Sequence, residues 1–399
     1  MFITLEKLFL KWRNDPSIKF ILLTSASNNS FSAGGDMREL ADSIITDPMK
    51  RTFHPWQFVW TEYRLDLLLL TYPKPIISLV NGIIMGGGAG LAIHSKYTIV
   101  TENAIFAMPE NNAYFYVDVL MCWHLGKMPF HIGDYLGLTG SQITYKDMLY
   151  TELAYCYIPF QDLKNLQNEL MNKKINDEQN ITIHIENIFK KFKQEIKYDD
   201  CDIFRFGSII NQCFGADNIE LILQNLYQYS QSHSEIKIRQ WCQNVKQILL
   251  SMSPLSLKVL NMYMYMYNNL TLRLLRDCSN DNMTLIILAK NSYQLSCRLL
   301  IKEHFYDGVQ KWLIDKKNRN NKEIINNNQQ IFQYGLTHDL SKYLNKSIID
   351  RFIDEPANII FQLTLQEYSV KICNVKIIKS IPPYLKIDDI IQTNILSNL

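Results

Sequence analysis

A layered α/β core followed by a helical half is the fold class the sequence predicts, and three observations carry it. Short apolar runs alternate with segments of helical spacing over residues 1–160. From about residue 161 to 311 the pattern turns almost wholly helical, with leucine and isoleucine at helical spacings in 219–226, 245–252 and 285–300. Glycine-containing segments fall between predicted strands and helices, in the part of a layered fold where ligand sites form.

Taken in order, residues 5–12 have helical spacing. They lie in an amphipathic opening segment where Glu6, Lys7, Lys11, Arg13 and Asp15 interrupt the apolar positions, which rules out a secretory signal there. Residues 20–24 form a short apolar run between Pro16 and the Ser/Asn cluster 25–30, the pattern of a buried strand. A helix is predicted over 51–70, and Pro75 opens a second buried strand at 76–80. Residues 86–95 can turn into a helix before the β-rich runs 97–100 and 105–107. Helices over 118–137 and 145–153 and a strand at 154–158 complete the first part. Ser253 ahead of Pro254 reads as a capping residue before a first-turn proline. The domain organisation that follows is a core over 1–160, a helical region over 161–317, an asparagine-rich linker at 318–330, and an extension at 331–399 whose short runs assemble into no recognisable fold. There is no internal repeat.

Composition removes several classes of function. With 41 basic and 39 acidic side chains, no overall field attracts DNA or a membrane surface. A hydrophobic fraction of 47% against 20% charged excludes a wholly disordered chain. The eight cysteines include no C-x-x-C pair and no His–Cys cluster at zinc spacing, so buried reduced thiols and no metal are expected. The uncharged run 76–93 is long enough to cross a bilayer, but Asn81-Gly82 and glycines 86, 87, 88 and 90 suit a strand, a turn and a close-packed helix start instead.

Chemistry is concentrated in three segments. F-S-A-G-G-D at 31–36 contains adjacent glycines, which let the backbone turn tightly and leave amide N–H groups pointing outward. G-I-I-M-G-G-G-A-G at 82–90 lies ahead of a predicted helix, so its N–H groups sit at the positive end of a helix dipole. A plain turn and close helix packing explain these glycines equally well when each is taken alone, and neither segment has P-loop or dinucleotide spacing. In A-M-P-E at 107–110, Glu110 follows a proline at the end of an apolar strand, with Asp118 eight residues on. Either acid reads equally as an ordinary capping residue.

The order of the pieces is more specific than any one of them. F-S-A-G-G-D at 31–36, K-P-I-I-S-L-V-N-G-I-I-M-G-G-G-A-G-L at 74–91 and F-A-M-P-E at 106–110 resemble the signature of crotonase-fold enzymes. The 3-hydroxyisobutyryl-CoA hydrolase branch is matched through M-G-G-G, F-A-M-P-E with its following Asp, and L-T-G at 138–140. Further matches are S-M-S-P-L-S-L-K at 251–258 and F-Y-D-G-V-Q-K-W-L-I-D-K at 305–316. This resemblance implies a spiral β/α core with a helical C-terminal half covering the acyl site, acting on an acyl-CoA thioester. It also implies an oxyanion hole from the Gly35 and Gly87 amides, catalytic Glu110 and Asp118, and a substrate-pocket Glu62 in the Glu-Tyr pair 62–63. No cofactor is implied, since CoA is part of the substrate; a homo-oligomer and a mitochondrial location are. Gly90 stands where enoyl-CoA hydratases of this fold carry one of two catalytic glutamates, which disfavours hydratase chemistry.

Two departures from that pattern bear on function. The loop 111–118 reads N-N-A-Y-F-Y-V-D, with Tyr114 at a usual glycine, Val117 at a usual proline, and Leu120-Met121 at two further glycines. Such bulk either fills the acyl pocket or goes with a rearranged loop. The resemblance also starts at a helix, so the family's opening strands either precede Met1 or are lost. Chains resembling this hydrolase also occur as non-catalytic subunits of mitochondrial ribosomes, and partners of that kind, ribosomal RNA and proteins, are the alternative to thioester hydrolysis.

Overall fold

The computed structural model describes residues 1–46, 50–172, 180–253, 256–257, 285–300 and 303–315. The expected linker at 318–330, the extension at 331–399 and Pro254 lie outside the described residues. Ser253 does cap the next turn, accepting from the Ser256 amide at its Oγ and from the Leu257 amide at its carbonyl.

The chain opens with α1 (Phe2–Arg13), β1 (Ile21–Leu23), β2 (Ser30–Ser32), α2 (Met37–Thr46) and α3 (Lys50–Leu70). It continues through β3 (Ile76–Val80), β4 (Ile83–Met85), α4 (Gly87–Ile93), β5 (Tyr97–Val100) and β6 (Ile105–Ala107). Next come α5 (Cys122–Leu125), α6 (Ile132–Thr139), β7 (Ile143–Thr144), α7 (Tyr145–Tyr150) and β8 (Cys156–Tyr157). The rest of the described chain is helical apart from one isolated bridge, Tyr157 to Gln194: α8 (Leu163–Asn172), α9 (Ile181–Phe192), α10 (Asp202–Phe214), α11 (Ile219–Ser232), α12 (Ile236–Ser251), α13 (Leu285–Leu300) and α14 (Glu303–Val309), ending in a π-helical turn at Gln310–Asp315.

Two four-stranded sheets form, in the orders β1-β3-β5-β8 and β2-β4-β6-β7. Every pairing is parallel except β6 with β7. Each pass of the chain gives one strand to each sheet, the spiral that the resemblance implies. Alternation along β3 places Ile76 and Ile77 on opposite faces. Ile76 packs with Phe9, Leu65 and Leu68 of α1 and α3. Ile77 and Leu79 meet Leu166, Ile185 and Phe189 of α8 and α9. The run 76–93 is therefore strand, turn, strand and short helix, and among the described residues no helix is long and apolar enough to cross a membrane.

Several sequence expectations need correction. The helix expected over 118–137 is broken: Val119 and Leu120 take φ values of 48° and 55°, and Phe130 and His131 take 57° and 56°. Apolar residues on several sides of a largely buried loop mimic helical spacing, and the backbone turns left-handed where no helix can continue. The helix at 145–153 stops at Tyr150, just before Glu152 at φ 58°, and the strand at 154–158 is reduced to Cys156–Tyr157. Strands β2, β4 and β7 and helix α2 were not foreseen; the three strands have two or three residues each, too few to show a period.

Candidate active site

The two glycine segments meet because their residues have no side chains. Gly34, at φ 92°, turns the chain from β2 toward α2, and a Cβ there would lie 3.0 Å from the Gly87 nitrogen. A Cβ on Gly88 would lie 2.1 Å from the Ser32 carbonyl oxygen, so only glycine lets α4 approach β2 so closely. Gly87 is the first residue of α4, where backbone N–H groups have no intrahelical acceptor. Among the described residues neither the Gly35 nor the Gly87 amide donates to a protein acceptor.

Glu110 enters from the same end of the sheet, after the parallel strand β6. It begins the 3-10 turn Glu110–Ala113 after β6, and this turn is tied down twice. Asn111 donates its Nδ2 hydrogens to the Gly137 and Leu138 carbonyls at 2.7 and 3.1 Å. Gly140, at φ 59°, lets the end of α6 lie against Pro109. The L-T-G motif is thus a brace behind Glu110.

Gly35, Gly87, Glu62, Glu110 and Asp118, the five residues named from sequence, all line one cavity of about 240 Å³. Glu62 comes from α3, and its Oε1 lies 2.6 Å from where a Cβ on Gly87 would be. Phe58, Phe115, Val119, Leu300, Trp312 and Leu313 supply apolar wall. Of the helical half, α13 and the terminal π-helical turn reach this cavity, whereas α8 and α9 cover the other sheet. Gly308 allows that closure, since a Cβ there would be 2.4 Å from the Ala113 carbonyl oxygen.

The acids are crowded and dry. Burial raises Glu110 to about 8, with the Asp118 charge adding to it. One Glu110 oxygen, Oε2, has no hydrogen-bond partner among the described residues. Burial also lifts Asp118 to about 6, opposed by hydroxyls that hold its charged form. Tyr63, Tyr116 (3.2 Å) and Ser296 (3.3 Å) all donate to Asp118 Oδ1. Glu62 is pushed well above the carboxylate range by burial and by the charges of Asp118, Asp66 and Glu110. Two carboxyls with separated affinities for a proton, beside a third held neutral, can divide acid and base work. No group of three or more potential ligands at metal-binding distance occurs among the described residues.

A sequence profile described as enoyl-CoA hydratase/isomerase matches residues 1–324. The chain belongs to the enoyl-CoA hydratase/isomerase family. One similar relative is 3-hydroxyisobutyryl-CoA hydrolase, mitochondrial, of Gallus gallus, 31% identical over 309 residues, with 76% of this chain and 72% of that protein covered. Another is small ribosomal subunit protein mS47 of Neurospora crassa, 29% identical over 316 residues, where the match covers 77% of this chain and 59% of that protein. The crystal structure of a carnitinyl-CoA dehydratase from Mycobacterium thermoresistibile shares the fold, with a TM-score of 0.66 at 23% identity over 78% of this chain and 82% of that one.

Within the family pattern, the bulky loop is accommodated rather than inserted. Tyr114 has a left-handed backbone, at φ 56°, and its half-buried ring lies beneath the Lys311 ammonium, 5.2 Å from the ring centre. Leu120 keeps φ 55° and is buried in the core, outside the cavity lining. Asp118 therefore still reaches the cavity. At Gly90 the room for an acid is taken: Asp66 Oδ1 and Val119 Cβ lie 3.0 and 3.3 Å from where a Cβ would start. Asp66, Tyr116, Ser296 and His94 were not named from sequence. Tyr63 was visible only as the neighbour of Glu62, and nothing local marks Ser296, which lies 178 residues from the acid it contacts.

Proposed function

We propose that this chain hydrolyses acyl-CoA thioesters, with 3-hydroxyisobutyryl-CoA as substrate and 3-hydroxyisobutyrate and CoA as products. The observation that carries the reading is the convergence of two unbonded glycine amides and two buried carboxyls, Glu110 and Asp118, on one small cavity. The thioester oxygen would lie between the Gly35 and Gly87 N–H groups, where each donor to a developing oxyanion contributes about 3–4 kcal/mol. Glu110 then attacks the carbonyl carbon or removes a proton from an attacking water; both routes need its carboxylate, and a proton affinity near neutrality suits the second. The C–S bond breaks and the CoA thiolate takes a proton; on the attack route water then hydrolyses the acyl–Glu110 anhydride, and on either route the acid product leaves ionised. Asp118 binds the acyl hydroxyl, and Glu62, held neutral, offers a hydrogen-bond donor at the same end of the pocket. A mitochondrial location and assembly of identical subunits belong to the same reading.

The test is release of free CoA thiol. Glu110→Gln keeps the shape and should lower turnover by about 10²–10⁴-fold while leaving binding intact. Asp118→Asn should reduce the preference for the hydroxylated acyl group more than it weakens CoA binding. Equal, background-level release by the wild type and both variants would overturn the reading. The likeness to a protein named as a ribosomal subunit supports a second one, a non-catalytic interaction protein, and co-purification with ribosomal RNA would then identify it.

A further inference from the structure

Asp118 is delivered to the cavity by a backbone that its sequence does not favour. Val119 and Leu120, the next two residues, both lie in the left-handed region, at φ 48° and 55°. Glycine takes that conformation freely, whereas a β-branched side chain such as Val119 crowds its own carbonyl there. Such a turn persists only where its surroundings hold it.

His94, which follows α4, supplies the hold. Its ring is buried, and Nε2 lies 2.8 Å from the Val119 carbonyl oxygen. A carbonyl only accepts, so Nε2 carries the hydrogen. Burial drives the imidazole down to about 4, so at neutral pH it is uncharged and Nδ1 is an acceptor. That nitrogen is 3.0 Å from His124 Nε2, which fixes a directed chain from His124 through His94 to the Val119 carbonyl. The two rings stack, 5.2 Å apart at 24°. Asp66, 3.9 Å from Nε2, is the acid facing His94 from α3, and its own carboxyl is raised well above the usual range by burial and by Asp118. The turn is closed on its other side by the Met121 amide, which donates to the Asp118 carbonyl at 2.9 Å.

We propose that His94 is a positioning residue for the acyl end of the site: by donating Nε2–H to the Val119 carbonyl it holds the left-handed Val119–Leu120 turn that aims Asp118 into the cavity. The catalytic part of this inference rests on the hydrolase reading of Asp118; the strap itself does not.

Three substitutions separate the hydrogen bond from the space it occupies. His94→Gln puts an amide N–H near the position of Nε2 and should keep the strap. His94→Leu fills the site without a donor, and His94→Asn retains a polar group nearer the Nδ1 position, too short to reach Val119; if the leucine variant fails to fold, the asparagine variant takes its place. Two readouts are needed. Turnover of 3-hydroxyisobutyryl-CoA is compared with that of isobutyryl-CoA, which lacks the hydroxyl. Hydrogen exchange of the Met121 amide is followed in the same proteins and requires no turnover. Loss of the strap should lower kcat for the hydroxylated substrate by about 10²-fold, the scale of a 1 Å misplacement, with KM little changed and Met121 exchanging faster. His94→Gln should restore both. In a Val119→Gly background, where the turn is unstrained, removing the His94 donor should speed Met121 exchange far less than in the Val119 background. Equal behaviour of the glutamine and the leucine or asparagine variants, or additive effects of the His94 and Val119 changes, would overturn the proposal. A wild type that releases no CoA would refute the hydrolase reading while leaving the exchange data to decide the strap.

Discussion

Glu110 binds its proton more tightly in the folded chain than in the unfolded one, and stability must therefore depend on pH in a definite direction. Burial raises it from 4.5 to about 8. Between those values the folded state retains a proton that the unfolded state has released. The favourable contribution is complete below pH 4.5 and disappears as pH rises to about 8, at about 1.4 kcal/mol per pH unit. Glu110→Gln abolishes that slope. In thermal melts the variant should gain on the wild type from pH 5 to 8, and the two should converge near pH 4.5; a constant difference across the range would contradict the burial of an ionisable Glu110. Glu62 and Asp66 shift in the same direction and remain in both proteins; Glu62 is itself raised by the Glu110 charge, so the comparison reads Glu110 together with its effect on that neighbour. At this scale the sequence was legible where the chemistry was local. Glu110 stands after a proline at a strand end, and Gly35 and Gly87 lie in recognisable glycine runs. The hydroxyl cage around Asp118 was not legible, because Tyr63, Tyr116 and Ser296 are brought together only by α3 and α13 packing over the loop.

Among the secondary-structure elements, α4 and β2 depend on each other more than their lengths suggest. Gly88→Ala would drive a methyl group to within 2.1 Å of the Ser32 carbonyl oxygen, a backbone atom that cannot rotate away. Relieving it means separating α4 from β2, which pulls the Gly87 amide from the cavity formed with Gly35. Gly207 in α10 is the contrast, since nothing lies within 4 Å of its added Cβ. Urea denaturation should find Gly207→Ala stabilised by about 0.4–1 kcal/mol, from helix propensity and lost freedom of the unfolded chain. Gly88→Ala should be destabilised by more than any such gain, and similar stabilities for the two would refute the close approach. Longer elements such as β3 and α3 were foreseen, although the ten-residue helix α2 was not. The loop 118–131 misled because its apolar residues are buried from several sides of a loop rather than on one face of a helix, and the left-handed residues Val119, Leu120, Phe130 and His131 carry no local sign of their conformation.

At the scale of the molecule, the cavity is closed by parts of the chain from both ends of the described sequence: Ala33–Gly35 on one side, Trp312 and Leu313 on the other. A ligand seated there contacts the spiral core and the helical half together. It should therefore stabilise the protein as a unit, by RT ln(1 + [L]/Kd), about 2.7 kcal/mol at a hundredfold excess over Kd. Thermal melts with millimolar CoA or an acyl-CoA should show a rise of several degrees; an unchanged Tm would weigh against any CoA-binding role.

The alternation of strands between two sheets also bears on how the molecule comes into being. Among the described residues the one pairing between consecutive strands is β6 with β7, antiparallel and joined by a long connection; elsewhere Ile21 meets Ile76, Ile77 meets Tyr97, and Ile99 meets Cys156. Among the described residues there is no tight hairpin in the core to act as a seed, and every rung must close a loop before it gains a hydrogen bond. Helices α10, α11 and α12 are local and can form early, whereas the sheets have the distant pairings that slow folding. The two glycine segments follow β2 and β4, in neighbouring turns of the coil. The geometry of the cavity is thus among the last things the chain acquires, and a newly made molecule would pass through a stage that is rich in helix, compact, and without that cavity.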